Sequence, residues 1–339
     1  MKRLVAVLAA ALIATATAAL AQQTPPAPVP APSAPAQQTI EPFAFVALGD
    51  MPYKVPQDFT KFERLIGVIN TLKPAFSIHV GDIKSGSEPC TDEYMRNIFT
   101  RFHRFEQPLV FTPGDNEWTD CHRPAAGRYN PRERLAKVRE VFYPNPTQSL
   151  GKVTLPVEPQ SQVHAQHAKY IENTRFWKNG VLFVQVHVVG SNNGFETHDP
   201  EAAVEYFERN KANVAWLDDS FKLATDQSAR ALVISMQANL YDIRQKWPTV
   251  PLASGFLDTI RAIERGARQF QKPMLVIQGD EHEFEVDGFR GPDLKRVPNV
   301  WRLQLMGADY VHAVRVLVDP ASPGVFAFQP VIVWENGAY

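Results

Sequence analysis

The stretch LVIQGDEHEFEVD, Leu275 to Asp287, decides how the fold of this chain is interpreted. The apolar residues 274–277 have the length of a buried strand, and the run ends abruptly in the polar sequence Gly279-Asp280-Glu281-His282. A buried strand needs neither an acid nor a histidine at its tip. Asp280 and His282 therefore indicate a site at the end of a strand.

The same Gly-Asp ending follows other apolar runs, and helical patterns lie between them. Such alternation predicts βαβ units, in which functional residues collect at the carboxyl ends of parallel strands. The predicted strands are residues 42–50, 75–82, 108–117, 180–193, 229–241, 273–282, 301–305, 311–318 and 325–334. The predicted helices are residues 59–72, 93–105, 132–142, 201–224 and 256–270, and residues 152–170 read as an irregular insertion.

The polar residues at these strand ends are candidates for one shared site. They are Asp50, Asp82, Asp115, Gln237 and Asp280, the last with His282. A single Gly-Asp after a strand is most often a turn, but the repeated ending favours convergence in one crevice. Clustered carboxylates can serve as acid and base, or they can bind hard cations through oxygen. Since several Asp side chains would repel one another without a cation, metal binding is the preferred interpretation.

The order of these motifs resembles that of the calcineurin-like metallophosphoesterases. That family has Asp-x-His, Gly-Asp, Gly-Asn-His-Asp/Glu, a lone His and Gly-His-x-His, in this order. The corresponding segments here are Gly49 to Tyr53, Gly81 to Lys84, Gly114 to Glu117, Gln237, and Gly279 to His282. The resemblance covers roughly Phe43 to Val333, and it implies a four-layer α/β/β/α fold, a β-sandwich flanked by helices.

The resemblance also implies two divalent cations. One would be held by Asp50, Asp82 and His282, and the other by Asp82, Asp115, Gln237 and Asp280, with Asp82 bridging the pair. This chain departs from the family where Pro52, Asp115, Asn116, Gln237 and Asp280 replace its usual residues. Because most replacements carry oxygen, Mn²⁺, Mg²⁺ or Ca²⁺ is favoured over Zn²⁺. The alternative is an inherited polar network without metal.

Asn116 occupies the position of the family's catalytic histidine. An amide can hydrogen-bond a phosphoryl oxygen, but it cannot act as a general acid at neutral pH. His122 is the best substitute acid, although a surface histidine is the simpler interpretation. Lys84 and Arg123 could hold phosphate, or they could be solvated surface charges. Glu117 could orient Asn116, or it could face solvent.

The N-terminal residues have the features of an export signal. A charged start, an apolar core and a small-x-small motif predict a signal peptide at 1–21, with a short membrane anchor as the alternative. Residues 22–40 read as a Pro/Ala-rich linker and 41–339 as one folded domain. We therefore expect a periplasmic or secreted protein, with no stable membrane anchor after cleavage of the signal.

Cysteine content and charge narrow the possibilities further. In an exported protein, Cys90 and Cys121 predict one disulfide between the second and third motif loops, with two free thiols as the alternative. The formal net charge of −1 gives no basic surface for nucleic acid. Oligomeric state is not indicated by the sequence.

The resemblance implies a divergent, exported, metal-dependent phosphoesterase. It would hydrolyse a mono- or diester of a small phosphorylated substrate through a metal-activated water. One alternative is a catalytically degenerate protein of the same fold that binds a cation or a phosphorylated ligand in the cell envelope. Another is an interaction module that reaches its partner through the Pro-rich linker.

Overall fold

The computed structural model describes residues 40–196, 199–241 and 254–337. The predicted signal peptide (1–21) and all but the last residue of the predicted linker (22–40) lie outside this range. In the part that is described, no helix has the length and apolar character needed to cross a membrane.

The first sheet carries three of the predicted Gly-Asp endings. Its strands, numbered in chain order over the whole molecule, are β1 (Phe43–Leu48), β2 (Ser77–His79), β3 (Leu109–Phe111), β11 (Ala313–Val318) and β12 (Phe326–Val331). Their spatial order is β12-β11-β1-β2-β3. Because β1, β2 and β3 are parallel, their carboxyl ends lie on one edge of the sheet.

The second sheet carries the Gln237 loop and the last motif. Its strands are β4 (Glu158–Pro159), β5 (Thr174–Lys178), β6 (Val181–Gln185), β7 (Ala231–Ser235), β8 (Met274–Gln278), β9 (Glu285–Arg290) and β10 (Arg296–Gln304). The order is β4-β5-β6-β7-β8-β10-β9, with β6, β7, β8 and β10 parallel. The loops that follow β7 and β8 therefore leave the same edge.

Five long helices cover the outer faces of the sheets. They are α1 (Gln57–Leu72), α2 (Asp92–Phe102), α3 (Pro131–Phe142), α4 (Pro200–Asp226) and α5 (Leu257–Phe270). Three begin at a capping side chain that is visible in the sequence, which is Thr91 for α2, Asn130 for α3 and Asp199 for α4. The side chains of Asn130 and Asp199 accept hydrogen bonds from the first backbone amides of α3 and α4, and a proline follows each of them.

Three apolar cores separate four layers. One core joins α1, α2 and α3 to the first sheet, and another joins α4 and α5 to the second. The third lies between the two sheets and includes Phe45, Phe76, Phe183 and Leu303. The predicted α/β/β/α architecture is confirmed.

The predicted strand over 180–193 is too long. The sheet strand β6 ends at Gln185, and residues 186–189 continue as a buried extended segment. Ser191, Asn192 and Asn193 then turn back with φ of 48°, 55° and 59°. The apolar pattern continues past the strand because these residues remain buried after they leave the sheet.

Two other stretches differ from the prediction. The region 152–170 is not wholly irregular, since it contains β4 and a short helical turn, Gln160–Val163. Glu285–Arg290 forms β9, which was not predicted because its polar residues hide the alternation of a half-exposed edge strand.

Candidate functional site

Three strand-end aspartates share an uncommon backbone conformation. Asp50, Asp82 and Asp280 follow β1, β2 and β8 with φ of 55°, 54° and 78°, in the left-handed region. Aspartate tolerates this region better than most residues because its short side chain hydrogen-bonds locally. The backbone therefore turns sharply after each of these three strands, and this explains why an aspartate stands at each turn.

The glycine before an aspartate allows another carboxylate to come close. A Cβ atom on Gly114 would lie 2.1 Å from Asp82 Oδ1, and one on Gly279 would lie 2.2 Å from Asp50 Oδ2. Both separations are far below any allowed contact. The recurrence of Gly-Asp thus has two causes, a left-handed turn for the acid and close packing against the glycine.

Asp82 lies at the centre of a hydrogen-bonded group. Its Oδ2 accepts from the Tyr53 hydroxyl at 2.8 Å and from Asn116 Nδ2 at 2.7 Å, and its Oδ1 accepts from the Asn116 amide at 3.1 Å. Asn116 Nδ2 also donates to the Tyr53 hydroxyl oxygen at 2.9 Å. The side-chain amide of Asn116 is therefore directed at Asp82 and Tyr53.

Asp50 connects the two sheets at the site. Its Oδ1 accepts a hydrogen bond of 2.9 Å from the backbone amide of Asp280. The Nε2 atom of His282 lies 3.7 Å from the same oxygen and 3.3 Å from the Tyr53 hydroxyl. The last motif is therefore held against the first motif, as the convergence of strand ends predicts.

Asp115 is held by a side chain from the turn after β6. The Ser191 hydroxyl lies 2.6 Å from Asp115 Oδ2 and 2.9 Å from Asp120 Oδ1. Arg123 pairs with the other oxygen of Asp120 at 2.6 Å, and its Nη2 lies 3.4 Å from the Ser191 hydroxyl. Ser191 thus connects two acidic side chains of the loop that follows β3.

Gln237 faces the same turn. Its Oε1 accepts a hydrogen bond from the backbone amide of Gly190. A Cβ on Gly190 would lie 2.8 Å from Asp280 Oδ1 and 2.9 Å from Asp115 Oδ1, so these two carboxylates flank the glycine. Asp115, Gln237 and Asp280 are therefore neighbours, although the Gln237 oxygen is already hydrogen-bonded.

The carboxylates of this cluster resist ionisation. Burial, followed by the charges of neighbouring acids, raises the pKa of Asp50 and of Asp82 well above the ordinary range. Burial also raises the pKa of Asp280 to about 8, that of Glu117 to about 7 and that of Asp120 to about 6. Crowded acids in a buried crevice favour proton uptake or a bound cation.

The remaining predicted residues lie in different surroundings. Lys84 is fully buried, and its Nζ donates to the carbonyl oxygens of Ser85 and Asn116 at 2.7 Å each, so it does not reach the crevice. Glu117 is also fully buried, and its Oε1 accepts from the Gly114 amide at 2.6 Å. Burial rules out a solvent-facing position for both side chains.

His122 and Arg123 diverge from the same short helical turn. The exposed ring of His122 is bonded through Nδ1 to the Thr119 carbonyl at 2.7 Å, and it lines a separate cavity beside Trp118. Arg123 lines the crevice with the acids. Of these two candidates, only Arg123 is positioned to meet a ligand in the crevice.

The predicted disulfide between Cys90 and Cys121 is confirmed, with Cα atoms 5.8 Å apart. Both sulfur atoms lie near the Asn116 carbonyl oxygen, at 3.6 and 3.7 Å, and Lys84 also bonds this oxygen. The disulfide therefore joins the second and third motif loops beside the residue that contacts Asp82.

Tyr53, Asp120 and Ser191 line the crevice but are not among the predicted site residues. Tyr53 bonds Asp82 through its hydroxyl. Its spacing, three residues after Asp50, was the available signal. Asp120 and Ser191 gave no comparable signal, because they meet across 71 positions of the chain.

The donor atoms of the crevice fit a hard cation in part. Asp50 Oδ2, Asp115 Oδ1 and Glu117 Oε2 are buried and have no hydrogen-bond partner among the described residues. Unpaired buried carboxylate oxygens are costly, and a cation would satisfy them. However, no three His, Cys, Asp or Glu side chains within 40–196, 199–241 and 254–337 converge closely enough to hold a metal.

Comparison with known proteins gives likenesses of fold only. No protein-family model matches this chain, and no curated protein matches it. One similar solved structure is GAP50, the anchor in the inner membrane complex of Plasmodium, with a TM-score of 0.48, 10% identity and coverage of 86% of this chain and 89% of that chain. Another is TT1561 of Thermus thermophilus, with a TM-score of 0.45, 12% identity and coverage of 86% of this chain and 98% of that chain. A third is the purple acid phosphatase PPD1 from yellow lupin seeds, with a TM-score of 0.47, 10% identity and coverage of 87% of this chain and 55% of that chain.

Proposed function

We propose that the crevice at the strand ends binds a divalent cation and hydrolyses phosphate esters. The observation that carries this proposal is the pair of buried oxygens, Asp50 Oδ2 and Asp115 Oδ1, that lack hydrogen-bond partners among the described residues. They lie among other acids whose mutual repulsion a cation would relieve. The order of the strand-end motifs supports phosphoester chemistry.

The described residues contain no preformed group of three acids or histidines for a metal, so a cation would have to draw its ligands together, and the candidates are Asp50, Asp115 and Asp280. Their carboxylates come from both sheets, and two of them flank Gly190. Asp82 and Gln237 would join as ligands after giving up existing hydrogen bonds, and His282 lies within 3.7 Å of Asp50. An all-oxygen donor set favours Mn²⁺, Mg²⁺ or Ca²⁺ over Zn²⁺, and a second cation would need Asp82 as a bridge.

The side chains around the cation would orient the substrate. A bound cation would supply a water of lowered pKa and neutralise charge on the phosphoryl group. Arg123, held by Asp120 at 2.6 Å, would bind a phosphoryl oxygen at the open side of the crevice. Asn116 would act indirectly, because its amide fixes Asp82 and Tyr53.

His282 is the candidate general acid for the leaving group. It lines the crevice with Asp280 and Tyr53, whereas His122 lines a different cavity. A mono- or diester of a small phosphorylated compound is the proposed substrate. Because the Cys90–Cys121 disulfide requires an oxidising compartment in most organisms, we also propose export to the periplasm or beyond.

The proposal is tested first by cation binding. The protein is equilibrated separately with Mn²⁺, Mg²⁺, Ca²⁺ and Zn²⁺, desalted and analysed for metal content. We expect retained Mn²⁺ in the wild type and its loss in Asp115→Asn. Asp218→Asn, an exposed acid on α4 paired with Arg265, serves as the matched control and should retain the ion.

Hydrolysis is tested with the ion that binds. 4-Nitrophenyl phosphate and bis(4-nitrophenyl) phosphate report on monoesters and diesters, respectively. We expect release of nitrophenol that requires the cation and falls at least 100-fold in Asp115→Asn. If the protein retains metal but hydrolyses neither ester, the enzymatic part of the proposal is refuted and only cation binding remains.

A further inference from the structure

A second cavity lies on the far side of the loop that follows Asp115. It has a volume of about 180 Å³, and its lining is mainly apolar, with Trp118, Pro131 and Ala202 among the wall residues. The loop separates two environments, since Asp120 faces the acidic crevice and His122 faces this cavity. The proposed function leaves this cavity without a role.

Trp118 forms a fixed aromatic wall of the cavity. Only 2% of its surface is exposed, and the buried Arg209 guanidinium lies 5.1 Å from its ring. The ring of His187 meets it at 5.4 Å and an angle of 61°. An indole held on both its face and its edge is preorganised for stacking, so a ligand need not order it.

A glycine leaves the edge of this wall uncovered. Gly194 has φ of 65°, and a Cβ there would lie 3.6 Å from Trp118 Cη2 and 3.1 Å from Thr119 Cγ2. Any side chain would occupy the space beside the indole. The left-handed turn 191–194 therefore both presents Ser191 to the crevice and keeps side-chain atoms away from the Cη2 edge of Trp118.

Three of the charged residues around the opening, Arg132, Asp199 and Glu205, already have ion-pair partners. Arg132 pairs with Asp199 at 3.1 Å and with Glu201 at 2.6 Å, and Glu205 pairs with Arg209 at 2.9 Å. A charged ligand would have to displace one of these partners. The cavity is therefore suited to a neutral group.

We propose that this cavity binds one neutral aromatic ring. Its 180 Å³ is close to the volume of about 150 Å³ at which an apolar protein cavity takes up benzene. Because Trp118 is almost fully buried, a flat ring gains an edge contact on it, which an aliphatic chain does not gain. The ligand class is thus a phenyl-sized ring without charge.

The ring can belong to the substrate of the neighbouring crevice. Thr119, a wall residue of the cavity, donates to the Asp115 carbonyl at 2.9 Å, so the two sites share one loop. Because this loop lies between the two sites, such a substrate would need a linker between its phosphate and its ring. This extension rests on the proposed function, whereas ring binding itself does not.

Ring binding is tested without turnover, using 4-fluorophenol as the probe and ligand-observed fluorine NMR as the readout. We expect saturable binding to the wild type and at least tenfold weaker binding to Ala202→Leu, which fills the cavity from α4. Ala203→Leu lies on the same helix outside the cavity and should bind like the wild type. Melting curves verify that each variant is folded.

The outcomes separate the two claims. No saturable binding to the wild type, or equal binding to folded Ala202→Leu, overturns the ring site whatever the activity. Binding of 4-fluorophenol without hydrolysis of any ester keeps the ring site and removes only the proposed function.

Discussion

The crowded carboxyls of the crevice predict that the cation-free protein loses stability as pH rises from 6 to 8. Asp280 and Glu117 ionise in the unfolded chain near 3.8 and 4.5, but burial raises their pKa in the folded protein to about 8 and about 7. A raised folded pKa means that the folded state holds protons that the unfolded state has lost. The contribution of these two acids to stability is therefore greatest at low pH and falls as pH rises through the folded pKa values.

The size of the effect follows from the number of protons held. One proton held only by the folded state gives a slope of about −1.4 kcal/mol per pH unit. Between pH 6 and pH 8, Asp280 holds its proton for most of the interval and Glu117 for half of it, so together they account for about 4 kcal/mol. The raised pKa values of Asp50 and Asp82 add loss in the same direction.

Urea unfolding at pH 6, 7 and 8 in the presence of EDTA measures this loss. Asp280→Asn should remove the contribution of Asp280 to this pH dependence. The surface variant Asp218→Asn should leave the pH dependence unchanged. Saturating Mn²⁺ should flatten the dependence, because a cation that binds ionised acids replaces their protons. Buried histidines whose pKa is lowered, such as His79 and His187, act in the opposite direction on the total, so the decisive comparison is between variants. An Asp280→Asn variant with the same pH dependence as the wild type in EDTA would refute the reasoning.

Three further predictions concern other parts of the structure. Gly279→Ala places a Cβ 2.2 Å from a carboxylate oxygen, so it should lower the free energy of unfolding by about 1–3 kcal/mol and abolish cation binding. The control Gly67→Ala has open space on α1 and should raise the free energy of unfolding by up to about 1 kcal/mol. Urea titration and metal analysis measure both variants. Arg209→Met removes a buried guanidinium from its acidic partner and should lower the free energy of unfolding by about 3–5 kcal/mol in urea; an unchanged midpoint would contradict this. Replacing Cys90 and Cys121 together by serine opens a loop with a sequence separation of 31 and should cost about 3.5 kcal/mol, measured by thermal and urea unfolding beside the oxidised wild type.

The strand ends could be predicted from the sequence because their causes are local. A short apolar run followed by Gly-Asp describes a buried strand and a left-handed turn, and both lie within about ten consecutive residues. The start of α3 is similarly local, since Asn130 and Pro131 fix it within one residue of the predicted position. The order of such endings carried the family resemblance, and that resemblance implied the layers of the fold.

The hydrogen bonds of the site could not be predicted, because they join distant segments. The Ser191 hydroxyl meets Asp115 across 76 positions, and the Asp280 amide meets Asp50 across 230. Lys84 was considered for phosphate because a lysine after a motif is usually exposed. Its burial depends on the Asn116 carbonyl, which lies 32 positions further along the chain.

The candidate site exists only because the two sheets pack against each other. Asp50, Asp82 and Asp115 follow strands of the first sheet, whereas Gln237 and Asp280 follow strands of the second. The apolar core between the sheets sets their separation, and the contact of Gly279 with Asp50 lies where their edges meet. A change that shifts one sheet against the other therefore moves the two halves of the carboxylate cluster apart. Cation binding and packing between the sheets should accordingly stabilise one another, even though no side chain of that core reaches the crevice.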